Sequence, residues 1–184
     1  MGRCSGRAII NMKEIGWINK YKVGLLERTT TLKYISELVE IIDQIPLVNY
    51  TEKEVLAETK EDRKFNKKWE HSLIVFDREK PIAVIIGYER ESEGNEPYPE
   101  NTIYISELAV KKDYQKRGIG KKLIRIFLDY NIQRGFLILN GRINFSVQTN
   151  SAERNKHVKE LYKSFGFKER VYLFLDLTFV LLWV

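Results

Sequence analysis

Cysteine is all but missing from this chain. The single thiol, Cys4, excludes a disulfide framework and any Cys-based zinc site, and it fits a reducing compartment. Histidine is nearly as scarce: His71 and His157 stand far apart with no ligand spacing, so no metal site is expected. There is no linker rich in Gly, Ser or Pro and no internal repeat. Long apolar runs are lacking too. At the N-terminus Ala8-Ile9-Ile10 is too short for the roughly 7–15 residues of a secretory signal, and Gly6 stands where myristoylation wants Ser or Thr. At the C-terminus Val171 to Val184 is interrupted by Asp176 and falls short of the about 20 residues of a membrane span, so it reads as buried strand. The expectation is a cytoplasmic protein with no membrane partner.

What is present is material for a core. Of 184 residues 43% are hydrophobic, and 9 Phe, 10 Tyr and 3 Trp are too many for a disordered coil. Residues 1–184 therefore read as a single domain, with 1–18 as a mobile or peripheral N-terminal extension. Lys and Arg number 31 against 25 Asp and Glu, a net charge of +6 that suggests a polyanionic partner. Where that charge sits decides what the partner is.

Periodicity orders the elements. Tyr21 to Arg28 is a strand candidate, and Leu32, Ile35, Leu38, Val39 and Ile42 mark a helix closed by Pro46. Thr51 and Glu54 form a capping-box pattern, predicting a second helix that runs to about Lys67. Ser72 to Phe76 and Ile82 to Tyr88 read as an antiparallel hairpin, followed by a polar loop from Glu89 to Glu100 and a strand from Thr102 to Val110. A helix from Gly118 to about Gln133, a strand at Ile143 to Thr149 and a helix from Asn155 to Phe165 come next. Strand candidates Phe167 to Asp176 and Phe179 to Val184 finish the chain. The order β-α-α-β-β-β-α-β-α-β-β describes a mixed α/β sandwich around one sheet.

The chemistry lies where the strand ending at Val110 passes through a basic turn into Gln115-Lys-Arg-Gly-Ile-Gly, the opening of a helix. The first amides of a helix have no internal partners and its dipole adds positive charge, so this turn can cradle a phosphate. Gly118 and Gly120 permit close approach, and Lys116, Arg117, Lys121 and Lys122 add charge. The spacing is neither a Walker loop nor a three-glycine dinucleotide fingerprint. A bland alternative is a turn followed by a solvated basic face.

Gln115, Gly118 and Gly120 after Glu-Leu-Ala-Val resemble the signature of the GNAT superfamily of acyl-CoA N-acyltransferases. A second stretch, Asn155-x-x-Val158-x-x-Leu161-Tyr162-x-x-x-Gly166-Phe167, resembles the family's later motif, with Val158 where Ala is usual. The resemblance implies a mostly antiparallel central sheet flanked by helices, and an N-acetyltransferase that uses acetyl-CoA in a ternary complex without a metal. It implies that the pantetheine arm lies beside Leu108, Ala109 and Val110, that the pyrophosphate sits on Gln115, Lys116, Arg117, Gly118, Ile119, Gly120 and Lys121, and that Asn155 contacts the arm. By the same resemblance Tyr162 protonates the departing thiolate; the bland alternative is a half-buried helix aromatic. A phenol of pKa about 10 suits a thiolate of about 8.5. An ammonium acceptor must lose a proton before attack; by the same resemblance Glu107, where many relatives carry an acid, is the candidate base, directly or through a water, on condition that burial raises its pKa from about 4.3, with Glu89 and Glu91 in reserve. Alternatively Glu107 simply pairs with a lysine.

The acceptor, a small-molecule or peptide amine, is not named by residues 1 to 70, although Trp17 and the helix pair between Leu32 and Lys67 are candidates to line its pocket. The loop Glu89 to Glu100 carries five Glu against one Arg and could attract a cationic amine, or be only a solvated tip. The other functional reading is a catalytically silent acyl-CoA-binding regulator of the same fold. The apolar C-terminal strand could pair two subunits into a homodimer. The tryptophans otherwise read as packing residues. Finally, Lys111 to Arg125 holds a surplus equal to the whole +6, so the remainder of the chain is neutral. Charge gathered at one turn reads as a socket for the phosphates of coenzyme A, not as a nucleic-acid face.

Overall fold

Strands rich in Ile and Val need cover on both faces, and helices from the two halves of the chain provide it. The computed structural model describes residues 12–45, 50–57, 59–60, 63–64, 67–90, 102–139, 144–149, 156–171 and 179–183. The elements are β1 (Glu14–Ile18), β2 (Tyr21–Leu25), α1 (Arg28–Lys33), α2 (Ile35–Ile42), α3 (Glu52–Leu56), β3 (Thr59–Lys60), β4 (Arg63–Lys64), α4 (Lys68–His71), β5 (Leu73–Asp77) and β6 (Lys80–Arg90). They continue with β7 (Thr102–Val110), α5 (Ile119–Leu139), β8 (Asn144–Thr149), α6 (Lys156–Lys163), β9 (Lys168–Val171) and β10 (Phe179–Trp183). Among the described residues eight strands form one sheet in the order β1-β2-β5-β6-β7-β8-β10-β9, and β3 with β4 makes a separate ribbon. Of these neighbours only β7 and β8 are parallel, joined by the α5 crossover; every other pair is antiparallel. The mixed, mostly antiparallel sheet flanked by helices is thus the architecture found.

One face packs Ile85, Ile103 and Ile105 against Leu123, Ile124 and Phe127 of α5. The opposite face packs Ile74, Val84 and Ile86 against Leu38, Ile41 and Ile42 of α2. Phe127 is wholly buried beside Phe145 and lies tightly over Gly87, where an added Cβ would come within 2.5 Å of its ring. We therefore expect Gly87→Ala to cost about 1–3 kcal/mol by overpacking, read as a lower urea midpoint. An unchanged midpoint would mean that the ring yields freely.

Several boundaries differ from the periodicity reading. The first helix starts at Arg28 and breaks at Tyr34 (φ −117°, ψ 27°), whose ring packs edge-on against Phe76 at 5.2 Å. The capping box is present as expected, Thr51 N–H donating to Glu54 Oε2 at 2.7 Å, yet α3 ends at Leu56. Its end carbonyls are taken by buried Lys68, whose Nζ donates to Val55 O at 2.8 Å and Ala57 O at 2.9 Å. With those acceptors satisfied, and no apolar stripe in the charged stretch beyond, the helix has no reason to reach Lys67. Helix α5 instead runs past Gly135 to Leu139. Residues 14–18, read from the sequence as the end of an extension, form β1 against β2. Strand β10 lies between β8 and β9, so it is not an open edge for a second subunit.

Candidate active site

The site is built around an interruption in β7. Ile86 of β6 faces Glu107 while the next residue, Gly87, faces Ile105, so Ser106 is the extra residue of a β-bulge. On its other side β7 pairs with β8 only over Thr102–Ile105. Residues 107–110 keep their β6 partners, and residues 106–110 have no strand on the β8 side among the described residues. Their backbone groups on that side form a short edge within the sheet, suited to an extended ligand arm. The Leu108 and Val110 side chains pack toward α5 and Ala109 toward α2, leaving the main chain to serve the edge.

Glu107 stands at the bulge on the α2 face. Its Oε1 accepts from Tyr50 Oη at 2.6 Å and from Ser106 Oγ at 2.9 Å. Burial first, then the Glu107 charge, holds the Tyr50 phenol well above its usual range. Tyr162, on α6, lies close enough to feel the Glu107 charge. It is 2% exposed, its ring packs edge-on to Phe167 at 5.4 Å, and its phenol is raised by burial and next by the Glu107 charge. It is therefore fully buried, not half-buried, and more weakly acidic than an ordinary phenol. Tyr50 also feels Tyr88, which packs on Tyr104 at 5.2 Å. Carboxylate, serine and Tyr50 meet where the sheet opens, with the Tyr88 and Tyr162 phenols near enough to interact electrostatically.

The turn before α5 supplies a second feature. Lys116 and Gly118 both adopt positive φ, +58° and +74°, and Gly118 O accepts the first helical bond from Lys122 N at 3.1 Å. Gln115 Nε2 ties the turn to Val110 O at 2.9 Å. Ile119 is buried in the core, so only its amide can meet a ligand. Beside Gly118 an added Cβ would meet nothing, and at Gly120 it would touch only Val110 at 3.7 Å. The protein itself therefore tolerates a methyl at 120. We expect Gly120→Ala to hold or raise the thermal midpoint, since Ala is favoured over Gly in a helix by about 1 kcal/mol, while weakening coenzyme A about tenfold by crowding the amides. Equal affinity by calorimetry would show that no phosphate rests there.

The basic residues of this stretch differ in their contacts. Lys111 pairs with Glu40 at 2.9 Å, Arg117 donates to Asp113 O at 2.7 Å and lies over the Tyr114 ring, Lys122 donates to Asn19 at 2.6 Å, and Arg125 lies over Phe165. Lys112, Lys116 and Lys121 are exposed and have no partner among the described residues. Lys116 and Lys121 flank the turn directly, beside its amides.

Glu89, a reserve base, is committed elsewhere. It accepts from Lys67 at 2.8 Å and lies 3.3 Å from His71 Nε2, and the His71 contact foremost lowers its carboxyl below the usual range. Asn131 Nδ2 donates to Phe127 O, so its Oδ1 accepts from His71 Nδ1 at 2.5 Å. This buried relay lies on the α5 face, across the sheet from Glu107; His71 is structural. Trp17 is 56% exposed on β1, four strands from β7, and does not line this site. Asn155, Glu91 and the acidic loop beyond Arg90 lie outside the described residues. Among those residues no group of three or more His, Cys, Asp or Glu could hold a metal, and no helix is long and apolar enough to cross a membrane. Tyr50, Ser106 and Tyr88 escape the reading of the sequence; only Ser106, beside Glu107, carries any signal there.

The model of the acetyltransferase (GNAT) family matches residues 35–167. No curated protein matches. Among solved structures, the ribosomal-protein-S18-alanine N-acetyltransferase from Escherichia coli is 17% identical with a TM-score of 0.59, over 88% of this chain and 90% of its own. Ard1 from Thermoplasma volcanium is 15% identical with a TM-score of 0.65, over 89% and 97%. Diaminobutyrate acetyltransferase from Paenibacillus lautus, solved with its substrate and coenzyme A, is 11% identical with a TM-score of 0.61, over 88% and 93%. At these identities the likeness is one of fold.

Proposed function

This chain belongs to the GNAT acetyltransferase family, and from that premise we propose that it moves an acetyl group from acetyl-CoA to a primary amine by direct attack in a ternary complex. The observation that carries the proposal is the opening of the sheet at residues 106–110, where β7 loses its β8 partner and Glu107 is held at the bulge. The acceptor is a small-molecule or peptide amine: the solved relatives named above include one that acts on a protein alanine and one with a diamino acid substrate.

Acetyl-CoA supplies the thioester carbonyl that is attacked and the thiolate that leaves. The open edge at Leu108–Val110 would hold its extended arm, and the amides from Gly118 to Gly120, with Lys116 and Lys121, its phosphates. Glu107 takes the proton of the acceptor ammonium, directly or through a water, freeing the nitrogen lone pair. Tyr162 donates its phenolic proton toward the departing sulfur. The two steps assist each other. The Glu107 charge makes Tyr162 a poorer acid, and that charge vanishes once Glu107 is protonated. Burial, the larger cause, keeps the Tyr162 phenol protonated throughout, and protonation of Glu107 makes it a better donor.

Titration with acetyl-CoA, followed by thiol release over small amines and peptide N-termini, tests this reading. Release with at least one class is expected. Failure to bind acetyl-CoA would overturn it, and binding without release from any amine would favour the silent acyl-CoA-binding regulator.

A further inference from the structure

We propose that Tyr50 is the positioning residue of the base, holding Glu107 in one orientation as an ionised acceptor until the amine arrives. The inference rests on the function proposed above but concerns a residue that no motif marks. Tyr50 comes from the segment between α2 and α3, 57 residues from its partner in sequence.

Three observations carry it. The Tyr50 Oη to Glu107 Oε1 distance of 2.6 Å is that of a charge-assisted O–H···O⁻ bond. The phenol is half-buried and raised in pKa by that burial and by the carboxylate, so it stays a donor throughout the working pH range. A lysine or histidine in its place would instead compete with the acceptor as a second cation. Third, the Tyr50 backbone is itself fixed. Its N–H donates to Asp43 Oδ1 at 2.8 Å, the next residue opens the α3 capping box, and Lys68 closes the other end of α3. A pinned backbone aims the hydroxyl without relying on side-chain entropy. Ser106 donates to the same oxygen from the bulge, so two hydroxyls hold one carboxylate oxygen.

The arrangement predicts what removal of one oxygen does. Tyr50→Phe keeps the ring and its packing and removes the donor. Protonation of Glu107 then becomes easier, so the acid limb of kcat/KM moves to higher pH by about one unit; separately, the loss of its fixed orientation lowers kcat/KM at neutral pH about tenfold, while the KM for acetyl-CoA stays put. Ser106→Ala, which leaves Tyr50 in place, moves the limb the same way by less. Carbon-13 NMR titration of the Glu107 carboxyl, assigned with Glu107→Gln, reads the contact without turnover and shifts upward in Tyr50→Phe. A loss of rate with both the limb and the titration unmoved overturns the inference and leaves Tyr50 a packing residue. A wild-type protein that releases no thiol overturns the function above, while the carboxyl titration still decides the contact.

Discussion

Tyr162→Phe lowers kcat by about 10²–10⁴-fold, the usual worth of a positioned general acid, while the Kd for acetyl-CoA changes by less than about twofold. The split follows from what the residue touches. Its ring is packed against Phe167 and stays in place as phenylalanine, so neither the α6 position nor the open edge of β7 should move. Only the proton donor is lost. The thiolate then leaves unprotonated, a loss of transition-state stabilisation that appears in kcat and not in binding. Leaving-group chemistry provides the check, because acyl donors with a more acidic thiol depend less on an acid. A constant defect across such donors would remove Tyr162 from this role.

Glu107→Gln lowers kcat/KM at neutral pH by about 10²–10³-fold and retains the fold, because the amide oxygen still accepts from Tyr50 and Ser106. The pH dependence separates a base from a structural partner. If Glu107 removes the ammonium proton, the defect shrinks as pH rises toward the pKa of the acceptor itself, about 8 for an α-amine and about 10 for a lysine-type amine. A partner that only braces Tyr50 gives a defect independent of pH. The substitution also removes the charge that helps hold the Tyr162 phenol up, so the alkaline limb of kcat moves to lower pH. Wild-type rates in both this variant and Tyr162→Phe would end the acid–base account.

Legibility follows the range of the physics. Strand β7 is readable to the residue, Thr102 to Val110, since an apolar β-branched run bounded by polar residues on both sides is a local signal. The Thr51–Glu54 box is readable because both partners lie within one helical turn. The length of α3 is not, because its end is set by Lys68, which lies outside the helix. His71 looks inert in sequence and is a buried link between α4, β6 and α5, since Asn131 and Glu89 arrive from elsewhere in the chain. Glu89 is a credible base only until its partners place it across the sheet.

By itself the sequence determined the main strands from Ser72 to Val110 and the turn chemistry of Gln115 to Gly120, while the candidacy of Glu107 and Tyr162 came from the family resemblance. The elements and the turn depend on spacing along the chain or on residue-specific backbone freedom, such as the positive φ at Gly118. The tertiary structure decided which carboxylate meets the tyrosines, which basic side chains are already taken, and that Tyr50 grips Glu107. Those outcomes are set by desolvation and by distances of about 3 Å between residues dozens of positions apart, and no local pattern encodes them.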